Sequence, residues 1–250
     1  MKPLHSWKVS VDEAIQIQET LKSRIVLKKT FSKIKIVGGG DVSYSKSGNL
    51  LFGAIVVLSF PHMQILDTAT SDGKVPFSYI PTLLSFREGP ILARTFQKLK
   101  IKPDIMIYDG QGIAHPRGMG LASHMGLWFD LPSIGCAKTP LLGKFIPPGP
   151  SRGSFEWIRR EGKKVGAVLR TKENVKPLFV SPGYRIDLLA SIQLILQTCR
   201  GFRIPEPLRK AHQASLLLRR EASTKSQALY LSEKNNESSH FIRNDRASDS

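Results

Sequence analysis

Three carboxylates stand where secondary-structure elements end, and their surroundings suggest phosphate chemistry. Asp109 closes the apolar run Ile105-Met106-Ile107-Tyr108, so its backbone lies at the C-terminal tip of a buried strand. Asp41 follows Gly38-Gly39-Gly40, three residues without side chains that let other groups approach closely. Glu88 lies in Ser85-Phe86-Arg87-Glu88-Gly89-Pro90, on a helix expected to pack against the sheet. An ionised carboxylate at a buried strand end is costly unless cations or donors offset it. Acids that converge also repel one another, and a hard divalent cation with oxygen ligands resolves that repulsion. Mg²⁺ retains waters in such a site, as phosphoryl-transfer chemistry requires. Taken singly, each acid reads equally as a helix cap or a salt-bridge partner.

The elements that must position these acids follow from periodicity. Ser10-Val11-Asp12-Glu13 has capping-box spacing and opens a helix carrying Ile15, Ile17, Leu21 and Ile25. Lys33–Ile36 alternates as a strand into the glycines and Asp41. Leu51–Phe60 and Met63–Thr70 read as second and third strands, joined by short turns into an antiparallel meander. Pro81–Leu99 reads as a helix interrupted or kinked at Gly89-Pro90. Short buried strands are expected at Asp104–Asp109 and Pro132–Ala137, with a helix between them at Met119–Phe129. A later strand pair is expected at Lys164–Arg170 and Pro177–Val180, and a final core helix at Ile186–Thr198. Strands alternating with helices after a meander indicate an α/β fold with a mixed sheet, where ligands bind beyond the strand tips.

Composition narrows the partners. The chain of 250 residues carries 37 Lys and Arg against 20 Asp and Glu, an excess that points to a polyanion, nucleic acid foremost. A hydrophobic content of 41% suffices for a full core and excludes wholesale disorder. Residues 221–250 differ: they hold seven Ser and four basic against five acidic side chains, so they are expected to form a disordered tail and the basic excess belongs to residues 1–220. Cys136 and Cys199 show no paired spacing, the N-terminal residues lack the apolar core of a secretory signal, and no run is long enough to span a membrane. A monomeric, cytoplasmic protein without a membrane partner is expected.

The wording of several segments is specific. Gly39-Gly40-Asp41-Val42-Ser43, Tyr79-Ile80-Pro81 with Phe86-Arg87-Glu88-Gly89-Pro90, and Asp109-Gly110-Gln111-Gly112-Ile113-Ala114-His115-Pro116-Arg117 together resemble endonuclease V. Ala122-Ser123-His124, Gly135-Cys136-Ala137-Lys138, Val180-Ser181-Pro182-Gly183 and Arg203-Ile204-Pro205-Glu206-Pro207 extend that resemblance in order from about residue 10 to 219. It implies a ribonuclease H-like fold, with a mixed sheet flanked by helices, for a catalytic domain at 1–220. It further implies Mg²⁺-dependent cleavage, with Mn²⁺ as a substitute, at the second phosphodiester 3′ to deoxyinosine, leaving a 3′-hydroxyl and a 5′-phosphate.

Carried over by position, Asp41, Asp109 and Glu88 match the family's metal-binding acids. Lys138 matches a lysine that can neutralise charge building on the phosphate. His212 matches a histidine near the metal. Tyr79, Ile80 and Pro81 match a wedge that enters the base stack when the target base leaves it, although Ser78 stands where the family form has a proline. Leu84, Gly110, Gly112 and His115 match the pocket for the extruded base. Each has a plainer alternative: Lys138 as a surface lysine, His212 on a helix surface, Tyr79 packed in a loop. His124 reads as structural. Arg87, Lys98, Lys100, Arg117, Lys138, Lys144, Arg152, Arg159 and Arg160 are candidate phosphate contacts. Two rival functions remain at this stage: cleavage of inosine-containing RNA, and nucleic-acid binding without catalysis on the same fold.

Overall fold

The computed structural model of the protein describes residues 3–142 and 145–224. The first helix, α1 (Val11–Leu21), opens as its spacing dictates. The Ser10 hydroxyl accepts from the Glu13 amide at 3.3 Å, and the Glu13 carboxylate accepts from the Ser10 amide at 2.7 Å. Then β1 (Ile36–Tyr44), β2 (Leu50–Ser59) and β3 (Ile65–Lys74) form the expected antiparallel meander. The helix α2 (Leu84–Gln97) leads to β4 (Ile105–Tyr108), which pairs parallel to β1, and α3 (Leu121–Phe129) leads to β5 (Ser133–Ala137), parallel to β4. A second antiparallel group follows: β6 (Phe155–Arg160), β7 (Lys163–Leu169) and β8 (Leu178–Tyr184), with β8 against β5. The chain then forms α4 (Leu188–Thr198) and α5, a helix from 206 through 224.

Among the described residues all eight strands lie in one sheet, in the order β3-β2-β1-β4-β5-β8-β7-β6. The first five strands, ordered 3-2-1-4-5, make the fold ribonuclease H-like, as expected. Because successive side chains alternate across a sheet, the two faces are readable along β4. Ile105 and Ile107 join Val37, Leu194, Ile195, Leu208 and Ala211 on the face covered by α4 and α5. Met106 and Tyr108 join Leu92, Phe96, Met125 and Phe129 on the face covered by α2 and α3. Burial on both faces explains why β4 is an unbroken apolar run.

Three elements depart from expectation. The helix α2 starts at Leu84, after a turn at Ile80–Leu83, and continues through Pro90 without interruption. Gly89 has the Trp7 indole against it, so close that a Cβ there would lie 2.6 Å from the ring; tertiary packing on this turn outweighs the hydrogen bond that Pro90 cannot donate. The strand β6 has no counterpart in the sequence reading. It is the sheet's edge, its Phe-Glu-Trp-Ile-Arg-Arg mixes apolar and charged residues, and Lys164 of β7 covers Trp157 at 4.5 Å from the ring centre. Nor is α4 the last helix: Asp187 caps it at Ala190 with a 2.8 Å bond, and α5 follows and runs through 224. The expected tail thus begins inside α5, and its residues 225–250 lie outside the described residues. Among the described residues no helix is long and apolar enough to cross a membrane.

His124 lies fully buried on α3, as the structural reading expected. Its Nδ1 meets the Ser85 hydroxyl at 2.9 Å, its Nε2 meets His5 Nε2 at 2.7 Å, and Trp7 and Phe86 pack around it. Burial, and secondarily His5, pushes its pKa down to about 3. The unfolded chain therefore takes up the His124 proton near pH 6.5 while the folded chain refuses it. Stability is complete above that pH and is lost as pH falls toward 3, by about 2 kcal/mol between pH 6.5 and 5 from this residue. Urea unfolding at pH 7.5, 6.5 and 5 is expected to show a shallower acid loss in His124→Gln than in the native chain; equal slopes would remove His124 as the cause.

Candidate active site

The sheet brings two of the three acids together. In the parallel pairing of β1 with β4, Gly39 is opposite Ile107 and Gly40 opposite Tyr108. The residues that follow are Asp109, one past the end of β4, and Asp41, which lies within β1 rather than at its end, as Glu88 lies within α2; both aspartates leave neighbouring strands toward the same face, that of α5. The glycines make room for this. A Cβ on Gly39 would sit 2.2 Å from the Pro207 carbonyl at the start of α5, and one on Gly40 would sit 2.9 Å from the Tyr108 ring. Only bare backbone lets α5 descend onto β1 at this point.

From α5, His212 and Ser215 reach Asp41. Its Oδ2 meets His212 Nδ1 at 3.0 Å and accepts from the Ser215 hydroxyl at 3.1 Å. Burial, and then the Asp109 charge, raise the Asp41 pKa; His212 and Ser215 oppose the rise. Lys138, one residue past β5, forms an ion pair with Asp109 Oδ2. Burial disfavours the ammonium, but the Asp109 carboxylate more than restores it, and the Lys138 pKa is raised. Glu88 comes from α2 on the opposite face and accepts a 2.6 Å hydrogen bond from the Tyr44 hydroxyl. Burial pushes its pKa up to about 8, with Asp41 and Asp109 adding to the rise. Each acid thus has its own donor. Among the described residues no three His, Cys, Asp or Glu side chains lie close enough together to hold a metal ion.

Asp109 and Lys138 also border a cavity of about 410 Å³. Its wall includes Tyr79, Ile80 and Pro81 together with Leu84, Gly110 and His115, so most residues expected of a wedge and a base pocket share one cleft with Asp109 and Lys138, whereas Asp41 and Glu88 do not line it. Tyr79 stands at the rim, 68% exposed. Gly112 does not line the cleft: its amide donates to the Ser181 hydroxyl at 2.8 Å, and a Cβ there would meet the Pro182 carbonyl oxygen at 2.1 Å. It seats the turn on β8 instead. Gln111, between the two glycines, donates from Nε2 to the Thr139 carbonyl at 3.1 Å and ties the turn to the loop after β5.

The cleft's other wall rests on a strained turn. The Leu83 amide donates to the Ile80 carbonyl at 3.0 Å, Pro81 is the second residue, and Thr82 takes φ +74° as the third. This is the pattern of a type II turn, whose third position ordinarily calls for Gly. A β-branched residue there is strained by on the order of 1–3 kcal/mol. The Thr82 carbonyl accepts from Gln18 Nε2 at 3.0 Å, His115 Nε2 at 2.8 Å and Arg117 Nη2 at 3.2 Å. The His115 Nδ1 accepts from the Arg117 amide at 3.2 Å, so both ring nitrogens are engaged by the protein. Burial first, with Arg117 and Arg160 adding, pushes the His115 pKa down to about 4, which keeps the ring neutral with its proton on Nε2.

Several expected phosphate contacts face carbonyls of the protein. Arg117 donates to Gln18 and Thr82, and Arg160 to the His115 and Pro116 carbonyls. Arg87 donates to Phe77, Arg152 to Leu196, Arg159 to Gly162 and Lys98 to Thr70. Lys144 lies outside the described residues. Sequence reading did not find Tyr44, Ser215, Gln18 or Thr82. For Ser215 a signal exists: Leu208, Ala211, His212 and Ser215 follow one helical stripe.

Comparison with known proteins agrees with this geometry. The family model for endonuclease V matches residues 19–213. Endonuclease V from Dictyoglomus turgidum is 48% identical over 201 residues, which cover 80% of this chain and 87% of the relative. The crystal structure of endonuclease V from Streptomyces avermitilis superposes with a TM-score of 0.81 at 36% identity, covering 89% of this chain and 96% of that one. Endonuclease V from Ciona intestinalis, crystallised with a 23mer DNA containing an inosine followed by a ribo-adenosine, superposes with a TM-score of 0.76 at 28% identity, over 86% of this chain and 100% of that one. The chain is an endonuclease and belongs to the endonuclease V family.

Proposed function

We propose that the protein is a divalent-cation-dependent endonuclease that recognises deoxyinosine and hydrolyses the second phosphodiester 3′ to it, leaving a 3′-hydroxyl and a 5′-phosphate. The observation that carries this reading is the placement of Asp109 at the edge of a cleft walled by Tyr79-Ile80-Pro81 and Gly110, with Asp41 beside it on the neighbouring strand. The inosine-containing DNA held by the Ciona relative supports the substrate.

The donor set suits a hard cation. It is all carboxylate oxygen, and burial together with mutual repulsion raises the pKa of both Asp41 and Glu88. Asp41 and Asp109 would hold Mg²⁺, or Mn²⁺ in its place, with Glu88 completing the charge. Such an ion supplies a Lewis acid at the scissile phosphate and makes water more acidic there. The chain's own groups do the rest. The Lys138 ammonium neutralises charge that develops on the phosphate as the bond breaks. His212 and Ser215 fix the Asp41 carboxylate. Tyr79, backed by Ile80 and Pro81, fills the gap in the stack that the extruded base leaves. Hypoxanthine carries a C6 carbonyl and an N1–H, and main-chain groups around Gly110 read that edge, with Leu84 as an apolar wall. Two buried free thiols, Cys136 and Cys199, suit a reducing compartment such as the cytoplasm. A second reading, inosine-containing RNA as substrate, is favoured by the ribonucleotide that follows inosine in the Ciona complex.

A nicking assay tests both readings: a labelled duplex with one deoxyinosine, and an inosine RNA strand, each with Mg²⁺ and with EDTA. A Mg²⁺-dependent cut at the second bond of the duplex is expected. Cleavage of RNA alone would transfer the mechanism to RNA, and binding without cleavage of either would overturn the enzyme reading. Asp109→Ala is expected to cut at least about a thousandfold more slowly while holding the inosine strand as well as the native chain; near-native cutting would remove Asp109 from the site. Tyr79→Ala is expected to lower the preference for inosine over plain duplex by about tenfold, the scale of one stacked base. Equal losses on both duplexes would rule out the wedge.

A further inference from the structure

The cluster at Thr82 is outside the chemistry described above, yet it concentrates more hydrogen bonding than any reacting group. Three donors from two distant segments, Gln18 of α1 with His115 and Arg117 of the loop after β4, converge on one carbonyl that has two lone pairs. A fourth bond, from Arg117 to the Thr82 hydroxyl at 2.5 Å, holds the side chain of the same residue. Arg117 is itself fixed by Gln18 Oε1 at 2.6 Å, and Gln18 is only 1% exposed. Such over-determination is what a strained backbone needs in order to persist. The turn lies between two functional segments: Tyr79 three residues before it, and Leu84, the first residue of α2, two residues after it. Among the described residues no hydrogen bond fixes the Tyr79 side chain, so its direction is inherited from the backbone of this turn.

We propose that Gln18, His115 and Arg117 are positioning residues for lesion recognition: they hold the Pro81-Thr82 turn in a left-handed conformation that threonine would otherwise leave, and so aim Tyr79 across the cleft. The proposal rests on the function given above. It differs from direct reading of the base by these side chains, since His115 has both ring nitrogens engaged and Gln18 donates to Thr82 and to the Met119 carbonyl. Glycine takes a positive φ without strain, so a chain with glycine at position 82 has no need of the clamp.

Two double-mutant cycles test this. Gln18→Ala is expected to lower the preference for inosine over plain duplex by about tenfold, the scale of one buried hydrogen bond, with the loss falling on KM more than on kcat. The same change made in a Tyr79→Ala background, or in a Thr82→Gly background, is expected to cost less than about threefold. Losses that multiply in full in both backgrounds would overturn the proposal and indicate direct base contact or general destabilisation. Arg117→Lys, which keeps the charge and loses the two-pronged donor, serves in the same cycles if Gln18→Ala fails to fold. Hydrogen exchange of the Leu83 amide, which closes the turn, needs no substrate. Its protection is expected to fall about tenfold in Gln18→Ala and to recover with Thr82→Gly. Undiminished protection would refute the clamp even in a chain that cuts inosine strands, and failure to cut inosine with this protection pattern intact would refute the function and leave the clamp standing.

Discussion

The register of β1 against β4 is the constraint on which the site depends. With Gly40 opposite Tyr108, the residues after them emerge together on one face; a slip of one residue along either strand would send Asp41 and Asp109 to opposite sides of the sheet. Packing on both faces pins that register. Ile105 and Ile107 must meet α4 and α5, while Met106 and Tyr108 must meet α2 and α3. Gly39 and Gly40 enforce it from the other strand, since one lies under the Pro207 backbone and the other under the Tyr108 ring. Exchanging their faces would expose two large aliphatic side chains of β4 to the wrong layer. The chemistry is therefore placed by hydrophobic packing several residues away from it.

Around that pair the protein gathers carboxyl groups inside a strongly basic chain. Asp41 and Glu88 have raised pKa values, chiefly through burial, and each finds a different donor: His212 and Ser215 for one, Tyr44 for the other. The guanidinium groups behave differently. Many are turned onto carbonyl oxygens, as with Arg160 at His115 and Arg203 at Pro177. An arginine bonded to a carbonyl keeps its full charge, so these residues fasten loops and still contribute to the field that attracts a polyanion. Structural and electrostatic uses of arginine are not alternatives in this fold.

Much of the frame was legible from local pattern. The capping box of α1, the turns that separate β1, β2 and β3, and the apolar run of β4 are local signals, and the elements formed close to them, although β1 begins only where the Lys33–Ile36 alternation ends. Asp109 was legible as the residue that ends an apolar run, and Asp41 as the one that follows three glycines. What escaped was set by distant partners. Thr82 has a left-handed backbone, and its carbonyl is bound by Gln18, 64 residues before it, and by His115, 33 residues after it. Pro90 stays inside a helix because of packing such as that of Trp7 on Gly89. The edge strand β6 lacks the apolar run that marks β4, and its pairing with β7 is visible only in three dimensions. His212 was found by wording rather than by pattern, and Ser215, one turn further on, was missed although it shares the same stripe.

The span of chain across the Asp41 contacts bears on how the enzyme is made. Its partners His212 and Ser215 lie 171 and 174 residues downstream, on the last helix of the described chain. During synthesis the ribosome delivers Asp41, Glu88, Asp109 and Lys138 long before it delivers α5. A chain interrupted before that helix carries every carboxylate but leaves Asp41 without either donor, and leaves the gap over Gly39 unfilled. The surroundings of Asp41 are thus completed only once α5 has been made, and products shortened before that helix lack both of its donors.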